Sequence, residues 1–199
     1  GVINANAGKL LRQFIEKVNI PVAFTLHGLS AVSADHPLSL GMMGMHGTVE
    51  SNRAIMEADL LISFGMRFDD RVTGKLNEYA KDADVIHVEI DPSEIEKNVA
   101  TTVAINGDVG QTLRAMLDDP MLTYKPRRRW FEKIAAYREV MKADLEAELQ
   151  KGTGDDGGLL MKSIVHQLSQ LTEAKDLIVP DVGQHQMMAA RFYNYQTEN

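Results

Sequence analysis

The densest chemistry in this sequence is the run Arg67-Phe68-Asp69-Asp70-Arg71, two guanidinium groups and two carboxylates around one aromatic ring. Arginine forks suit phosphates or carboxylate substrates, and adjacent acids can hold them in place. The competing reading is a solvated ion-pair cluster, which contributes little at a surface. A second group is Gly41, Gly44 and Gly47, running into a helix start at Thr48. This spacing is not the dinucleotide fingerprint G-x-G-x-x-G. It reads either as a tight loop or as backbone that lets N–H groups approach a phosphate at the positive end of a helix. The third group is Glu89 with Asp91, at the end of an apolar run. A carboxylate there can accept both hydroxyls of a ribose. It can equally cap the helix that Pro92 begins, which suits Asp91 better than Glu89.

These groups need a scaffold, and the surrounding pattern supplies one. Leu60–Phe64 and 85–90 are short apolar runs bounded by turn or charged residues, as buried parallel strands are. Further strands are expected at 22–26, 103–105 and 177–179. Between them lie helical patterns. Over 5–18, Ala7, Leu10, Leu11, Phe14, Ile15 and Val18 share a face, with Asn4 or Asn6 as the cap. Thr48 with Ser51 or Asn52 offers capping chemistry for a helix over 48–57, and 109–117 forms another. The alternation predicts an α/β fold, a doubly wound parallel sheet, over 1–118. Such sheets bind ligands outside the carboxyl ends of their strands, which is where the charged groups lie.

Asp118-Asp119-Pro120 closes that unit, and 127–150 reads as one long polar helix. Its narrow stripe is Trp130, Ile134, Tyr137, Met141, Leu145 and Leu149. The glycine-rich stretch 152–158 reads as a flexible connector. Leu160, Ile164, Leu168 and Leu171 then mark a helix, and 181–187 turns into a last one. The expected organisation is therefore 1–118, a linker over 119–158, and an incomplete second α/β unit over 159–199, loosely packed or paired with another copy. A start at Gly1 just before a helix, and a stop after an unfinished strand-turn-helix unit, read as a piece of a longer polypeptide.

Composition narrows the function classes. A net charge of −7 over 199 residues weighs against nucleic acid, which favours basic surfaces. No apolar run approaches the roughly 18 residues of a membrane span. The absence of cysteine excludes disulfides and thiolate metal sites, and fits a cytoplasmic protein. The histidines at 27, 36, 46, 87, 166 and 185 show no i,i+3 or i,i+4 pairing, so no protein-built metal site is expected, and His87 reads as structural. There is no G-x-S-x-G nucleophile elbow.

The strings T-L-H-G-L at 25–29, H-P-L-S-L-G-M-M-G-M-H-G-T at 36–48 and F-G-M-R-F-D-D-R-V-T-G-K at 64–75 resemble the catalytic large subunit of acetolactate synthase (acetohydroxyacid synthase). So do H-V-E-I-D-P-S-E-I at 87–95 and V-G-Q-H-Q-M at 182–187, in the family's order. The resemblance implies that 1–118 is most of a Rossmann-like central FAD-binding domain, and that 159–199 opens a thiamine-diphosphate-binding domain. FAD is then expected along Thr25, Leu26 and His27, and along Gly44, Met45, His46 and Gly47. Its path continues past Gly65, Arg67, Asp69, Arg71 and Val72 to Glu89, Ile90 and Asp108. Met45, Asp70 and Arg71 resemble residues beside the substrate channel, where herbicide-type inhibitors bind; Gln184 and His185 resemble diphosphate-side contacts to thiamine diphosphate. Met188 departs from the family's pattern.

In this family the glutamate that activates thiamine diphosphate, and the motif that holds Mg2+, belong to segments outside this sequence. No catalytic residue and no metal ligand is therefore assigned here, and the chain alone is expected to be inactive. The reaction implied for the longer parent joins pyruvate, with loss of carbon dioxide, to a second 2-oxo acid such as 2-oxobutyrate. Acetolactate or acetohydroxybutyrate results, on the route to branched-chain amino acids. FAD has no net redox role in it. A homodimer or tetramer, a small regulatory subunit, and a place in the cytoplasm or in an organelle after transit-peptide removal are further implications. The alternatives are a non-catalytic flavin- or nucleotide-binding domain, and another thiamine-diphosphate enzyme such as an oxidase or decarboxylase.

Overall fold

The apolar runs become strands, and among the described residues every strand pairing is parallel. The computed structural model describes residues 1–174 and 176–196, apart from the side chains at 141, 143, 144 and 148, so Met141 of the expected stripe lies outside it. The strands are β1 (Val22–Phe24), β2 (Ser39–Met42), β3 (Leu60–Phe64), β4 (Asp84–Glu89) and β5 (Val103–Asn106). The helices are α1 (Gly8–Val18), α2 (Val49–Met56), the single turn α3 (Asp70–Thr73) and α4 (Val109–Asp118). The long α5 (Arg128–Lys151) follows, then α6 (Met161–Leu171) and α7 (Gln184–Phe192).

Successive side chains of a strand point to opposite faces, and β3 and β4 have packing on both, whereas β5 is largely exposed. Phe24, Ile62, Phe64, Val88 and Ile105 meet Leu11, Phe14 and Ile15 of α1 and Leu113 of α4. On the other face Leu61 and Val85 meet Ile55 of α2, Phe68 and Tyr79. Helix α5 lies outside α2, with Ile134 buried against Leu40 and Ala54. The register sets Phe64 opposite Val88, and Glu89 opposite Asn106, so the carboxyl ends of β3, β4 and β5 finish level.

The expected single sheet is hydrogen-bonded as two, β1-β2 and β3-β4-β5. Strand β1 stops at Phe24, two residues early, because a 3-10 turn takes over at Leu26–Gly28. Strand β2 was not anticipated, since its Gly41 belongs to the series that reads as a loop. Neither Asn4 nor Asn6 caps α1: the N-cap is Ala7, without a side-chain hydrogen bond, and Asn6 sits in the left-handed region at φ 49°.

The expected strand at 177–179 does not form; Leu177 and Val179 are exposed and find no partner strand among the described residues. Stretch 152–158 is not a free connector, because Thr153 bridges Leu159 and Gly154 N–H donates to Gly158 O at 2.8 Å. The terminal segment docks on the first unit, with Ala34 N–H donating to Tyr195 O at 2.7 Å and Asn194 Nδ2 to Asp35 Oδ1 at 2.9 Å. Among the described residues no helix is long and apolar enough to cross a membrane.

Two kinds of contact hold α5. Ile134 is buried, whereas Glu57 takes hydrogen bonds from Lys133 and from Tyr137 Oη near the surface. The Lys133 ammonium, then the Tyr137 hydroxyl, hold the Glu57 carboxyl below its ordinary pKa. That contribution is complete above the ordinary carboxylate pKa and is lost as pH falls through the lowered one. Burial outweighs it. Ile134→Ala should cost about 2–5 kcal/mol in urea denaturation, and Glu57→Gln less than about 1 kcal/mol, the latter difference vanishing in acid.

Candidate functional site

Loops after β1, β2, β3 and β4 converge on one large crevice of about 2070 Å³, which continues down between the β1-β2 and β3-β4-β5 sheets. Thr25, Leu26 and His27 reach its wall from the end of β1, and Met45 and His46 from the glycine loop. Gly65, Arg67, Asp69, Arg71 and Val72 enter from the end of β3. Glu89 ends β4 with Ile90 just beyond it, and Asp108 precedes α4 on the same wall. Gln184 joins them from the start of α7. Gly44, Gly47, Asp70 and His185 do not line the crevice.

The glycines work by close packing. Gly44 has φ 97°, and a Cβ there would lie 2.5 Å from Arg71 O; one on Gly47 would lie 2.7 Å from Met42 O. The expectation that these amides face a phosphate needs correction, because they are already used. Gly44 N–H donates to Asn52 Oδ1 at 2.8 Å and Met45 N–H to Arg71 O at 2.8 Å. Gly47 N–H donates to Gly44 O, and Thr48 N–H to Met42 O. Thr48 caps α2 as expected, its Oγ1 accepting from Ser51 N–H. Asn52 is no cap. It clamps the loop instead, returning a bond from Nδ2 to Gly44 O at 2.9 Å.

The acids after β3 do not hold the arginines. Arg67 and Asp69 approach only to 3.8 Å, and Asp69 caps α3 by accepting from Arg71 N–H at 3.1 Å. Arg67, Asp70 and Arg71 are exposed, and the two arginines stand on the crevice wall. Phe68 is the anchor. At φ 52° it turns its ring inward, edge-on to His87 at 4.9 Å and to Tyr79 at 6.1 Å, while Asn98 Nδ2 holds its carbonyl at 3.0 Å.

Glu89 is only 6% exposed, and its Oε1 accepts from Ile90 N–H at 2.9 Å and Asp91 N–H at 3.1 Å. One carboxylate oxygen thus fixes the strand end. Asp91 takes the capping role instead, accepting from Ser93 Oγ and N–H, which hold its carboxyl below the usual range. Asp108 caps α4 through Gln111 N–H at 2.9 Å.

Residues 1–116 match the family model described as thiamine pyrophosphate enzyme, central domain. The chain belongs to that family. It is 44% identical over 191 residues to the acetolactate synthase isozyme 2 large subunit of Escherichia coli K12, covering 96% of this chain and 33% of that protein. It is 41% identical over 192 residues to acetolactate synthase 1, chloroplastic, of Zea mays, covering 96% and 30%. Against the acetolactate synthase large subunit of Buchnera aphidicola from Schizaphis graminum it is 35% identical over 200 residues, covering 98% and 33%. The chain therefore spans about a third of the length of these relatives.

Within this thiamine pyrophosphate enzyme central domain, sequence reasoning missed the supports. Asn52, Asn98 and Asn106 each bind loop backbone, Asn106 Nδ2 donating to the Glu89 and Ile90 carbonyls. An asparagine two or three turns from a glycine is no motif, so only the fold shows it. His87 is fully buried, and its Nε2 lies 2.8 Å from Met66 O, a carbonyl that can only accept, so Nε2 carries the proton. Burial raises the Tyr79 phenol well above its ordinary pKa, with no partner for its hydroxyl among the described residues.

Gly44 and Gly74 separate crowding from backbone strain. Both have positive φ, yet nothing lies within 4 Å of a Cβ at Gly74. In thermal denaturation Gly74→Ala should cost about 1 kcal/mol. Gly44→Ala should cost several-fold more, because the glycine loop must separate from the Arg71 backbone as well.

Proposed function

We propose that this chain is the flavin-carrying central part, with its linker over 119–158 and the opening of the C-terminal thiamine-diphosphate domain over 159–199, of an acetolactate synthase large subunit. The domain limit at 118 follows the end of α4. The observation that carries this reading is the meeting of the T-L-H-G, M-H-G, R-F-D-D-R and V-E-I-D segments at one crevice, although they are far apart in the chain.

The residues present fit a flavin dinucleotide. A long apolar-walled crevice has exposed arginines on its rim, and Glu89 is fixed by one oxygen with its carboxylate on the wall. Arg67 and Arg71 would meet the diphosphate, since guanidinium forks match such anions. Glu89 and Ile90 would sit at the ribose, and Thr25, Leu26 and His27 opposite them. Met45, Asp70 and Arg71 would border the substrate channel, which Met45 N–H bonding to Arg71 O already brings together. Gln184, at the first turn of α7, would contact the diphosphate of thiamine diphosphate together with His185, a suitable anion position at a helix start. Mg2+ would be held outside these residues.

The thiamine cofactor supplies carbanion stabilisation when bound. This chain's residues contribute binding, orientation and the exclusion of water from the crevice. The parent protein would join pyruvate to a second pyruvate or 2-oxobutyrate, as a homodimer or tetramer. The words "large subunit" in relatives' names support a small regulatory partner, and the chloroplastic relative supports an organellar as well as a cytoplasmic setting.

A titration of the purified chain with FAD, followed by quenching of flavin fluorescence, tests the assignment. Saturable binding is expected, weakened at least about tenfold by Arg67→Ala and by Glu89→Ala, the loss of a charge-assisted contact each. Circular dichroism of each variant checks that it is folded. Equal binding by wild type and both folded variants would remove these residues from the flavin site.

A further inference from the structure

We propose that His87 is a positioning residue for Arg67: from inside the sheet its imidazole holds the peptide that presents the Arg67 guanidinium to the crevice. The anion that Arg67 meets is the flavin diphosphate of the reading above, on which this role rests; the hold on the backbone needs no ligand.

Arg67 sits on a stretch with little of its own to fix it. Gly65 has φ 64° and Phe68 φ 52°, so two left-handed residues bracket Met66 and Arg67. Among the described residues neither Met66 nor Arg67 makes a backbone–backbone hydrogen bond. The Arg67 guanidinium is exposed and comes only to 3.8 Å of Asp69. What does reach the stretch is His87 Nε2–H, donating to Met66 O at 2.8 Å. The same imidazole meets the ring of Phe68 edge-on, with centroids 4.9 Å apart. One side chain thus touches the residue before Arg67 and the residue after it.

Nothing in the packing of β4 asks for a histidine at this place. His87 lies between Ile86 and Val88, fully buried, two residues after Val85 and so on the face that Leu61, Phe68 and Tyr79 share. An apolar side chain would be at home there, whereas a polar one costs free energy unless it is bonded. Nδ1 is buried without a partner among the described residues, as is the hydroxyl of Ser63 opposite it in the register. A donor whose other nitrogen is left bare is a poor core residue, and its one hydrogen bond goes to the peptide that carries Arg67.

Other contacts hold the turn farther along. Asn98 Nδ2 donates to Phe68 O, Asp69 accepts from Arg71 N–H, and Met45 N–H donates to Arg71 O. These fix Arg71 without His87. Loss of the imidazole N–H should therefore loosen Met66 and Arg67 and leave Arg71 in place.

Amide relaxation by NMR and titration with FAD test this together, with circular dichroism to confirm that each variant folds. His87→Leu and His87→Met fill the site without a donor, whereas His87→Gln returns an N–H toward Met66 O. In the free protein the amides of Met66 and Arg67 should have order parameters of about 0.85 in wild type and His87→Gln, and below about 0.6 in His87→Leu and His87→Met. The Arg71 amide should stay rigid throughout. FAD should bind His87→Leu at least about tenfold more weakly than wild type, and His87→Gln within about threefold of it. In an Arg67→Ala background His87→Leu should cost nothing further, because the two act through one contact. Unchanged order at Met66 and Arg67 in a folded chain without the donor would overturn the proposal. So would an additive loss in the double variant, which would make His87 a general support of the core. If wild type takes up no FAD, the flavin reading falls and the order parameters alone decide the role of His87.

Discussion

The parallel strands must be dry on both faces, and the rest of the arrangement follows from that requirement. Strand β3 alternates its side chains between two layers, Ile62 and Phe64 toward α1 and α4, Leu61 toward the side of α2. Helices placed on both faces force every connection to pass over the strand ends. The chain leaves β1, β2, β3 and β4 at one edge, so its loops collect there. A crevice assembled from segments far apart in sequence is a consequence of strand chemistry before it is a feature of any ligand.

Those loops are held by one continuous line of contacts. Asn52 clamps Gly44, Gly44 lies against Arg71, and Asp69 caps the turn that carries Arg71. The turn is fixed to the core by Phe68, whose positive φ is an uncommon conformation for a bulky residue. Such strain persists only where the surroundings over-determine it. Here the buried ring against His87 and Tyr79, and Asn98 on the carbonyl, do so. The rim arginines are therefore presented by a rigid turn although their own side chains make few contacts, and a ligand that binds them would order little backbone.

Where one physical signal dominated, the sequence was a good guide. Leu60–Phe64 is a strand to the residue, because its large aliphatic and aromatic side chains are bounded by Asp59 and Gly65, although Leu60 stays exposed and the one buried side chain is Ser63. Thr48 and Asp91 cap a helix and a turn in the way their side chains allow, whereas the capping role of Asp108 was not read. Strand β2 was hidden because Ser39 and Gly41 weaken its pattern, and the run 177–179 misled because apolarity without a neighbouring strand does not make a ladder. The glycine series shows the deeper difficulty. Both a phosphate loop and a loop pressed against another backbone select glycine, and only the bonds of Gly44 and Met45 distinguish them. The charge cluster was legible as a location, whereas its pairing was not, since Asp69 turned to the backbone in place of Arg67.

The division of the crevice into apolar walls and a charged rim also fixes how it can discriminate. Exposed Arg67, Asp70 and Arg71 interact with one another through water, where charges 4 Å apart gain only about 1 kcal/mol. A ligand that covers them removes that water, and the same charges then act at lower effective dielectric, with Asp69 reaching Arg67 only at 3.8 Å. Selectivity is thus greatest for a molecule that is both long and flat enough to occupy the apolar wall and anionic where it crosses the rim. A short anion gains the rim without the wall, and a neutral ring gains the wall while leaving the guanidiniums desolvated without a partner.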